Sequence, residues 1–312
     1  MRKDILALVV GWTLVILSFP LFIAFISPFL LNEPIMAIRA FAIPLLISII
    51  SGLILIKYGN SEDVSNRLRD REAFAAVALG WPVVVFIGAL PFWLGGMFHG
   101  PVELYLGETT FQEVIGGSIR AWFESMSGFT TTGATVIDGN TSPICQPAVP
   151  DCINAQSRSL LLWRSLTQWL GGMGIIMLGM LILSRFLGGG MSIARAELTG
   201  PSLSRLRPRL EETAKVLWSI YTFLTLIEML LLRFLGGLSW FDSINHALTT
   251  MPSGGYSTYD AGIMYFQSPT VEWIIIFFMV ATGVNFTLYH FVWLREWFNV
   301  VNNYELRIYF AV

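Results

Sequence analysis

Two stretches of the 312-residue chain carry the residue types that can strip water from a cation. The first is Ala121-Trp-Phe-Glu-Ser-Met-Ser-Gly-Phe-Thr-Thr-Thr-Gly-Ala-Thr-Val-Ile-Asp138, and the second is Ser243-Ile-Asn-His-Ala-Leu-Thr-Thr-Met-Pro-Ser-Gly-Gly-Tyr-Ser-Thr-Tyr-Asp260. Each opens with a semi-apolar helical turn or two, passes into a Ser/Thr/Gly run and ends on Asp. Aligned on Gly133 and Gly255, they also match at Asp138 and Asp260. Peptide carbonyls and Thr or Ser hydroxyls can replace the hydration shell of a cation. Glycine permits the backbone angles that aim successive carbonyls at one axis, and a short helix before the run would point its negative end the same way. A carbonyl ring suits a large monovalent ion better than magnesium, which dehydrates reluctantly. No ring of acids lies within either run.

The rest of the chain must hold these loops at membrane depth. Hydrophobic residues make up 54% and charged residues only 13%, about half the charge of an ordinary soluble domain. Mean hydropathy is +0.65. A disordered or nucleic-acid-binding chain is excluded, and the net charge of −2 gives no sign of a polyanionic partner. The pattern is that of an all-α polytopic protein in contact with membrane lipid. Apolar runs long enough to cross a bilayer are read at about 5–32, 36–56, 73–98, 159–187, 216–235 and 271–294, and another begins near Ile308. Pro20 and Pro28 would kink the first, and Glu228 and Arg233 weaken the fifth.

Lys and Arg set the orientation. Arg2 and Lys3, Lys57 to Arg71, Arg185 to Lys215, and Arg295 and Arg307 fall on one side, whereas Arg120 and Arg158 are on the other. The N-terminus is therefore placed in the cytosol. The long outer segment 99–158 is acidic and holds both cysteines, Cys145 and Cys152. Two cysteines on an oxidising face read as a disulfide, the blander alternative being two free thiols. The three histidines are scattered, and no metal site is read from them.

The order span, short helix, Ser/Thr/Gly loop, span thus occurs twice, and the later span of each copy has a Gly-centred patch, Leu170-Gly-Gly-Met-Gly174 and Thr282-Gly-Val-Asn-Phe286. Plain turns between helices would explain one copy; two aligned copies, each between a pair of spans, favour re-entrant loops. Non-helical backbone survives at that depth only where protein buries it or it lines an aqueous cavity.

At Phe123-Glu-Ser-Met-Ser-Gly-Phe-Thr-Thr-Thr-Gly-Ala-Thr135 the sequence resembles the first pore loop of Trk-type potassium uptake proteins, the TrkH branch of the Trk/Ktr/HKT superfamily. Ser253-Gly-Gly-Tyr-Ser-Thr-Tyr-Asp260 resembles the second pore loop, and Gln168-Trp-Leu-Gly-Gly-Met-Gly174 and Gly283-Val-Asn-Phe286 resemble the spans that follow. The resemblance implies a helix pair at 1–60, span–pore-loop–span repeats at 61–190 and 191–304, and the start of a third repeat at 305–312. The family has four such repeats around one pore, so two of the expected four are present, either as the N-terminal part of a longer chain or as a half-length protein. It implies potassium uptake across the bacterial inner membrane, a homodimer, and gating by a cytosolic nucleotide-binding ring, with potassium as the transported ion and no organic cofactor. By resemblance Thr131, Thr132 and Gly133 line the filter in the first repeat and Ser253, Gly254 and Gly255 in the second. Where many relatives have Ser-Thr-Gly-Gly-Phe, this chain has Pro252-Ser-Gly-Gly-Tyr256.

Other residues carry competing readings. Glu124 could draw cations toward the filter or pair with Arg120 one turn away. Asp138 and Asp260 could concentrate cations in an outer vestibule or form turns, the turn being favoured. Glu228 and Arg233 read as structural, as does Asn285. Gly188-Gly-Gly190 reads as a helix end, and Arg205–Arg209 as a topology signal. A membrane serine protease using Ser127 and His246 is the enzymatic alternative, without the Gly-x-Ser-x-Gly elbow. A non-conducting assembly subunit and a sodium-permeable relative are the others.

Overall fold

The computed structural model describes residues 3–59, 70–145, 149–174, 210–284, 286–293 and 295–311. Within them the chain is helical. Helix α1 (Lys3–Leu30) carries Pro20 and Pro28 inside one continuous helix. It packs along α2 (Pro34–Gly59). The crossing depends on small residues that let backbones approach: a Cβ on Gly11 would lie 2.9 Å from the Gly52 carbonyl oxygen. Ser48 ties the pair with a 2.7 Å hydrogen bond to the Leu14 carbonyl. The first turns of α2 include a π-helical stretch, Ala37–Ala42. From there Arg39 pairs with Glu103 and donates to the Leu94 carbonyl at 3.1 Å.

Helix α3 (Asp70–Leu94) packs on α1 and leads through the short α4 (Pro101–Tyr105) to α5 (Phe111–Phe129). Helix α5 precedes the first Ser/Thr/Gly run. It starts about ten residues earlier than the sequence reading placed it, because Thr110 and Glu113 form a capping box: Glu113 N–H donates to Thr110 Oγ1 at 3.3 Å and Thr110 N–H to Glu113 Oε2 at 2.8 Å. Such a box satisfies donors that a helix start leaves open.

After the outer segment comes α6 (Arg158–Met173). It ends at Gly174, at a φ of 70°, and the remainder of the span read to Leu187 lies outside the described residues. Helix α7 (Leu210–Phe234) and the second short helix α8 (Trp240–Thr250) follow. Helix α9 (Pro269–Gly283) stops short of the 24 residues read for that span, since Val284 is extended before α10 (Phe286–Trp293) begins. The breaks in α6 and α9 fall in the two Gly-centred patches, where the chain can leave the helix at little steric cost. Helices α11 (Trp297–Val301) and α12 (Tyr304–Ala311) complete the described chain.

Among the described residues four helices are long and apolar enough to cross a membrane: α1, α2, and the segments Ala75–Leu94 of α3 and Lys215–Phe234 of α7. Helix α6 touches both short helices, α5 on one side and α8 on the other. It is joined to α7 by Trp169, whose indole N–H donates to Thr225 at 3.0 Å while Tyr221 donates to the Trp169 carbonyl at 3.1 Å.

The N-terminus of α6 is capped by the turn between α1 and α2. Glu33, in the turn between α1 and α2, accepts from Arg158 N–H at 2.9 Å and Ser159 N–H at 3.1 Å, and from the hydroxyls of Ser157 and Ser159. An anion at a helix N-terminus meets both open N–H groups and the positive end of the dipole. Burial alone would raise the Glu33 pKa, but these hydrogen bonds outweigh it and hold the carboxyl below its usual value. A depressed folded-state pKa contributes stability above the unfolded value of about 4.3 that is lost as pH falls through the folded one. We expect Glu33→Gln to cost about 1 kcal/mol at neutral pH, as for loss of an N-cap. Thermal unfolding in detergent should show the mutant lacking part of the wild-type loss of stability in acid.

Candidate functional site

The two Ser/Thr/Gly runs leave their short helices through two matching pairs of hydrogen bonds. Thr131 N–H donates to Gly128 O at 2.9 Å and Thr132 N–H to Ser127 O at 2.9 Å; Ser253 N–H donates to Thr250 O at 2.8 Å and Gly254 N–H to Thr249 O at 2.9 Å. These pairs are related by the alignment on Gly133 and Gly255. The backbone is left-handed at alternate residues in both runs: φ is 53° at Thr131 and 75° at Gly133, 56° at Ser253 and 80° at Gly255. Left-handed φ is costly for non-glycine residues, so its recurrence at Thr131 and Ser253 marks a conformation imposed by the surroundings.

The N–H groups of Thr131, Thr132, Gly133, Ser253 and Gly254 are thus turned back onto the short helices. The carbonyls of Thr131, Thr132, Gly133, Ser253 and Gly255 accept no hydrogen bond among the described residues, while Thr132, Ser253 and Gly255 are exposed. A strand with bonded donors and open acceptors is what a cation requires. Gly254 departs from its sequence assignment. It is buried, and its carbonyl accepts from Gln168 Nε2 at 2.9 Å. Its oxygen is also the atom that a Cβ on Gly133 would strike. Gly254 therefore belongs to the seam between the runs, which pass each other there backbone to backbone.

Helix α6 supplies the side chains that hold the seam. Gln168 uses both ends of its amide, donating to Gly254 O and accepting from Tyr256 N–H at 3.2 Å. Arg164, one turn earlier, is 2% exposed and Glu124 is 0% exposed. Arg164 Nε donates to Glu124 Oε1 at 2.6 Å, its Nη1 donates to the Ser257 carbonyl at 3.1 Å, and the guanidinium lies 3.4 Å above the Tyr256 ring. Glu124 in turn accepts from Thr135 Oγ1 at 3.0 Å and from Val136 N–H at 3.2 Å. Tyr256 reaches across to the Glu124 carbonyl at 2.8 Å. Glu124 is therefore not a vestibule charge and does not pair with Arg120. Burial requires a partner with a full charge, and Arg164 provides it.

In the second repeat the position equivalent to Glu124 is His246, also buried. Its Nε2 lies 3.2 Å from the Ser257 hydroxyl and its Nδ1 lies 2.8 Å from the Asp242 carbonyl. Ser257 is the counterpart of Thr135, so a polar side chain on each short helix ties down the strand just past its glycine. Ser127 and His246 are not brought together; Ser127 donates to the Ala134 carbonyl at 2.6 Å.

Asp138 forms a turn, accepting from Asn140 N–H at 2.7 Å. Asp260 is committed elsewhere: its carboxylate accepts from Cys152 N–H at 2.7 Å and Ile153 N–H at 2.9 Å. Cys145 and Cys152 form a disulfide. Glu228 is buried beside Thr250 of α8, and Arg233 turns to the Leu238 carbonyl and the Trp240 ring, so these two charges do not meet. Asn285, Gly188–Gly190 and Arg205–Arg209 lie outside the described residues. Among those described, no three His, Cys, Asp or Glu residues gather as metal ligands.

The family model described as "TrkH: Cation transport protein" matches residues 86–310. The chain belongs to the TrkH family. It is 38% identical over 243 residues to the Trk system potassium uptake protein TrkH of Escherichia coli K12, covering 78% of this chain and 42% of that protein. To TrkH of Halomonas elongata it is 37% identical over 260 residues, covering 83% and 47%. The crystal structure of the potassium transporter TrkH from Vibrio parahaemolyticus superposes with a TM-score of 0.69 at 28% identity, over 93% of this chain and 52% of that one. This TrkH-family chain thus spans about half the length of the relatives it matches.

Arg164 escaped the sequence reading. Its signal was available: an arginine inside an apolar span is a site by default, and it stands four residues before the quoted Gln168. Removing either member of its pair with Glu124 leaves the other charge buried, a loss of about 3–5 kcal/mol. We expect Glu124→Gln and Arg164→Met each to lower the unfolding temperature sharply. The double variant should be less destabilised than the sum of the two, and a double-mutant cycle in detergent measures the difference.

Proposed function

We propose that the chain forms two quarters of a potassium-uptake pore in the bacterial inner membrane, with its N-terminus in the cytosol. The observation that carries this reading is the pair of runs whose carbonyls are open, at Thr131–Gly133 and at Ser253 and Gly255, while the N–H groups of Thr131, Thr132, Gly133, Ser253 and Gly254 are turned back onto the preceding helices. The names of the relatives, all potassium uptake proteins, favour potassium as the ion. A hydrated ion entering from outside sheds water against these carbonyls and moves inward, drawn by a potential that contributes about 2.3 kcal/mol per charge per 100 mV. No covalent chemistry is needed, and the protein works as a transporter rather than an enzyme.

Two strands surround an ion only in part. The repeats at 61–190 and 191–304 are completed either by two more from the same chain beyond residue 312 or by a second copy. A homodimer and a cytosolic nucleotide-binding ring complete the assembly in this reading.

Gly133 and Gly255 separate the two requirements of a filter glycine. At Gly133 an added Cβ collides with the Gly254 carbonyl, whereas at Gly255 it meets nothing within 4 Å. Only the left-handed φ, with a cost of roughly 1 kcal/mol, opposes the second substitution. In cells lacking their own potassium uptake, expressing the protein at its full length, Gly133→Ala should reduce potassium-over-sodium uptake by roughly tenfold, equivalent to about 1.4 kcal/mol, and Gly255→Ala by less. Equal selectivity in Gly133→Ala and wild type would remove the filter assignment.

A further inference from the structure

The two equivalent aspartates past the strands do different work. Asp138 closes only its own turn. Asp260 grips a segment from the other repeat, more than a hundred residues away in sequence. Its two carboxylate oxygens take the N–H groups of Cys152 and Ile153, and its own N–H is returned to the Asp151 carboxylate at 3.2 Å. Asn154 Nδ2 adds a bond to the Thr258 carbonyl at 3.2 Å. Asp151 also accepts Asn154 N–H at 2.8 Å, which keeps the segment in the shape that presents both amides to one carboxylate.

From this grip a continuous set of bonds runs back to the first strand. The disulfide joins Cys152 to Cys145. Gln156 Nε2 bridges the Cys152 carbonyl and the Ser142 hydroxyl, each at 3.1 Å. Ser142 accepts Cys145 N–H at 3.2 Å through its carbonyl, and its own N–H returns to Asp138 O at 3.1 Å. Thr141 then closes on the Val136 carbonyl at 2.5 Å and on Asp138 N–H at 2.9 Å. The exits of both strands are therefore fastened to one disulfide-braced strap on the outer face.

We propose that this strap, Asp151–Ile153 held by Asp260 and braced by Cys145–Cys152, positions the outer end of the second strand and so sets how well the site discriminates potassium from sodium. The inference rests on the pore reading above. Asp260, Asp151 and the disulfide are positioning groups; none of them needs to touch the ion. Carbonyls that are held in place, rather than free to follow a smaller ion, make the exchange of water for protein favour one ionic size.

The test uses the full-length protein in detergent and in potassium-uptake-deficient cells. Amide hydrogen exchange is followed at 253–260 and at 131–138 in the wild type before and after reduction by a dithiol, in Cys145→Ser/Cys152→Ser, in Asp260→Asn and in Asp138→Asn. Exchange at 256–260 should rise by roughly tenfold on reduction and in the cysteine and Asp260 variants, as when a local set of hydrogen bonds opens. Potassium-over-sodium uptake should fall several-fold in the same forms, and less in Asp138→Asn, which makes the same change of charge without loosening the strap. Unchanged exchange at 256–260 overturns the proposal. So does an equal fall in Asp138→Asn and Asp260→Asn, which would make both residues vestibule charges, or raised exchange with unaltered selectivity. Absence of potassium uptake by the wild type would instead remove the pore reading, and the exchange comparison would still decide whether the strap fixes the strand.

Discussion

A run of backbone whose carbonyls are left without partners, as the proposed ion-binding runs require, is in the costliest state for a backbone at membrane depth. The fold meets this constraint by fixing everything else about the two strands. The N–H groups of Thr131, Thr132, Gly133, Ser253 and Gly254 are returned to carbonyls of the preceding helices, which leaves the carbonyls of Thr131–Gly133, Ser253 and Gly255 open. Their flanks are held by Arg164, Gln168 and Tyr256 from within the bundle. Left-handed angles at Thr131 and Ser253, which neither residue favours, persist because the bonds on either side leave no alternative.

The two repeats solve the same problem with different chemistry. In the first, a carboxylate on the short helix holds the strand through Thr135 and Val136, and its charge then demands an arginine. In the second, a histidine holds Ser257 through one ring nitrogen and meets the Asp242 carbonyl with the other. Arg164 connects the two solutions, because its remaining donor goes to the Ser257 carbonyl. The two runs are consequently not independent: the buried guanidinium joins them, beside the Gly133–Gly254 seam and the bond from Tyr256 to the Glu124 carbonyl. The asymmetry extends to the glycines, since Gly133 is pressed against the neighbouring strand while Gly255 faces open space.

Period and composition made the spans, the duplicated loops and their glycines legible, because these are local properties of the chain. Partner choice was not. Arg120 stands at the favourable spacing from Glu124, yet the ion pair forms with Arg164, forty residues on, since only α6 passes close enough inside the bundle. Asp260 read as a turn former or a vestibule charge, because nothing local shows that the amides of Cys152 and Ile153 converge on it. The early start of α5 was written in Thr110 and Glu113, but a polar pair on an acidic outer segment does not announce a helix. Gly254 looked like one more filter residue. Its burial follows from Gln168, whose amide is aimed at it by a helix that the sequence places in another part of the chain.

The identity of the central residue follows from the number of tasks it performs. A buried ion pair is often no more stable than apolar residues of the same volume, so stability alone would not select one here. Arg164, however, has to reach a carboxylate and a backbone carbonyl in different directions while lying flat on the Tyr256 ring. A guanidinium does this with one rigid plane, through directed N–H groups at its edge and a face that stacks on an aromatic. A lysine could meet the carboxylate, but it has a single point of charge and no plane to stack. It would leave either the Ser257 carbonyl or the Tyr256 face unserved. The planar cation is thus selected by geometry, because only it fixes a helix side chain, a strand backbone and an aromatic ring at one point.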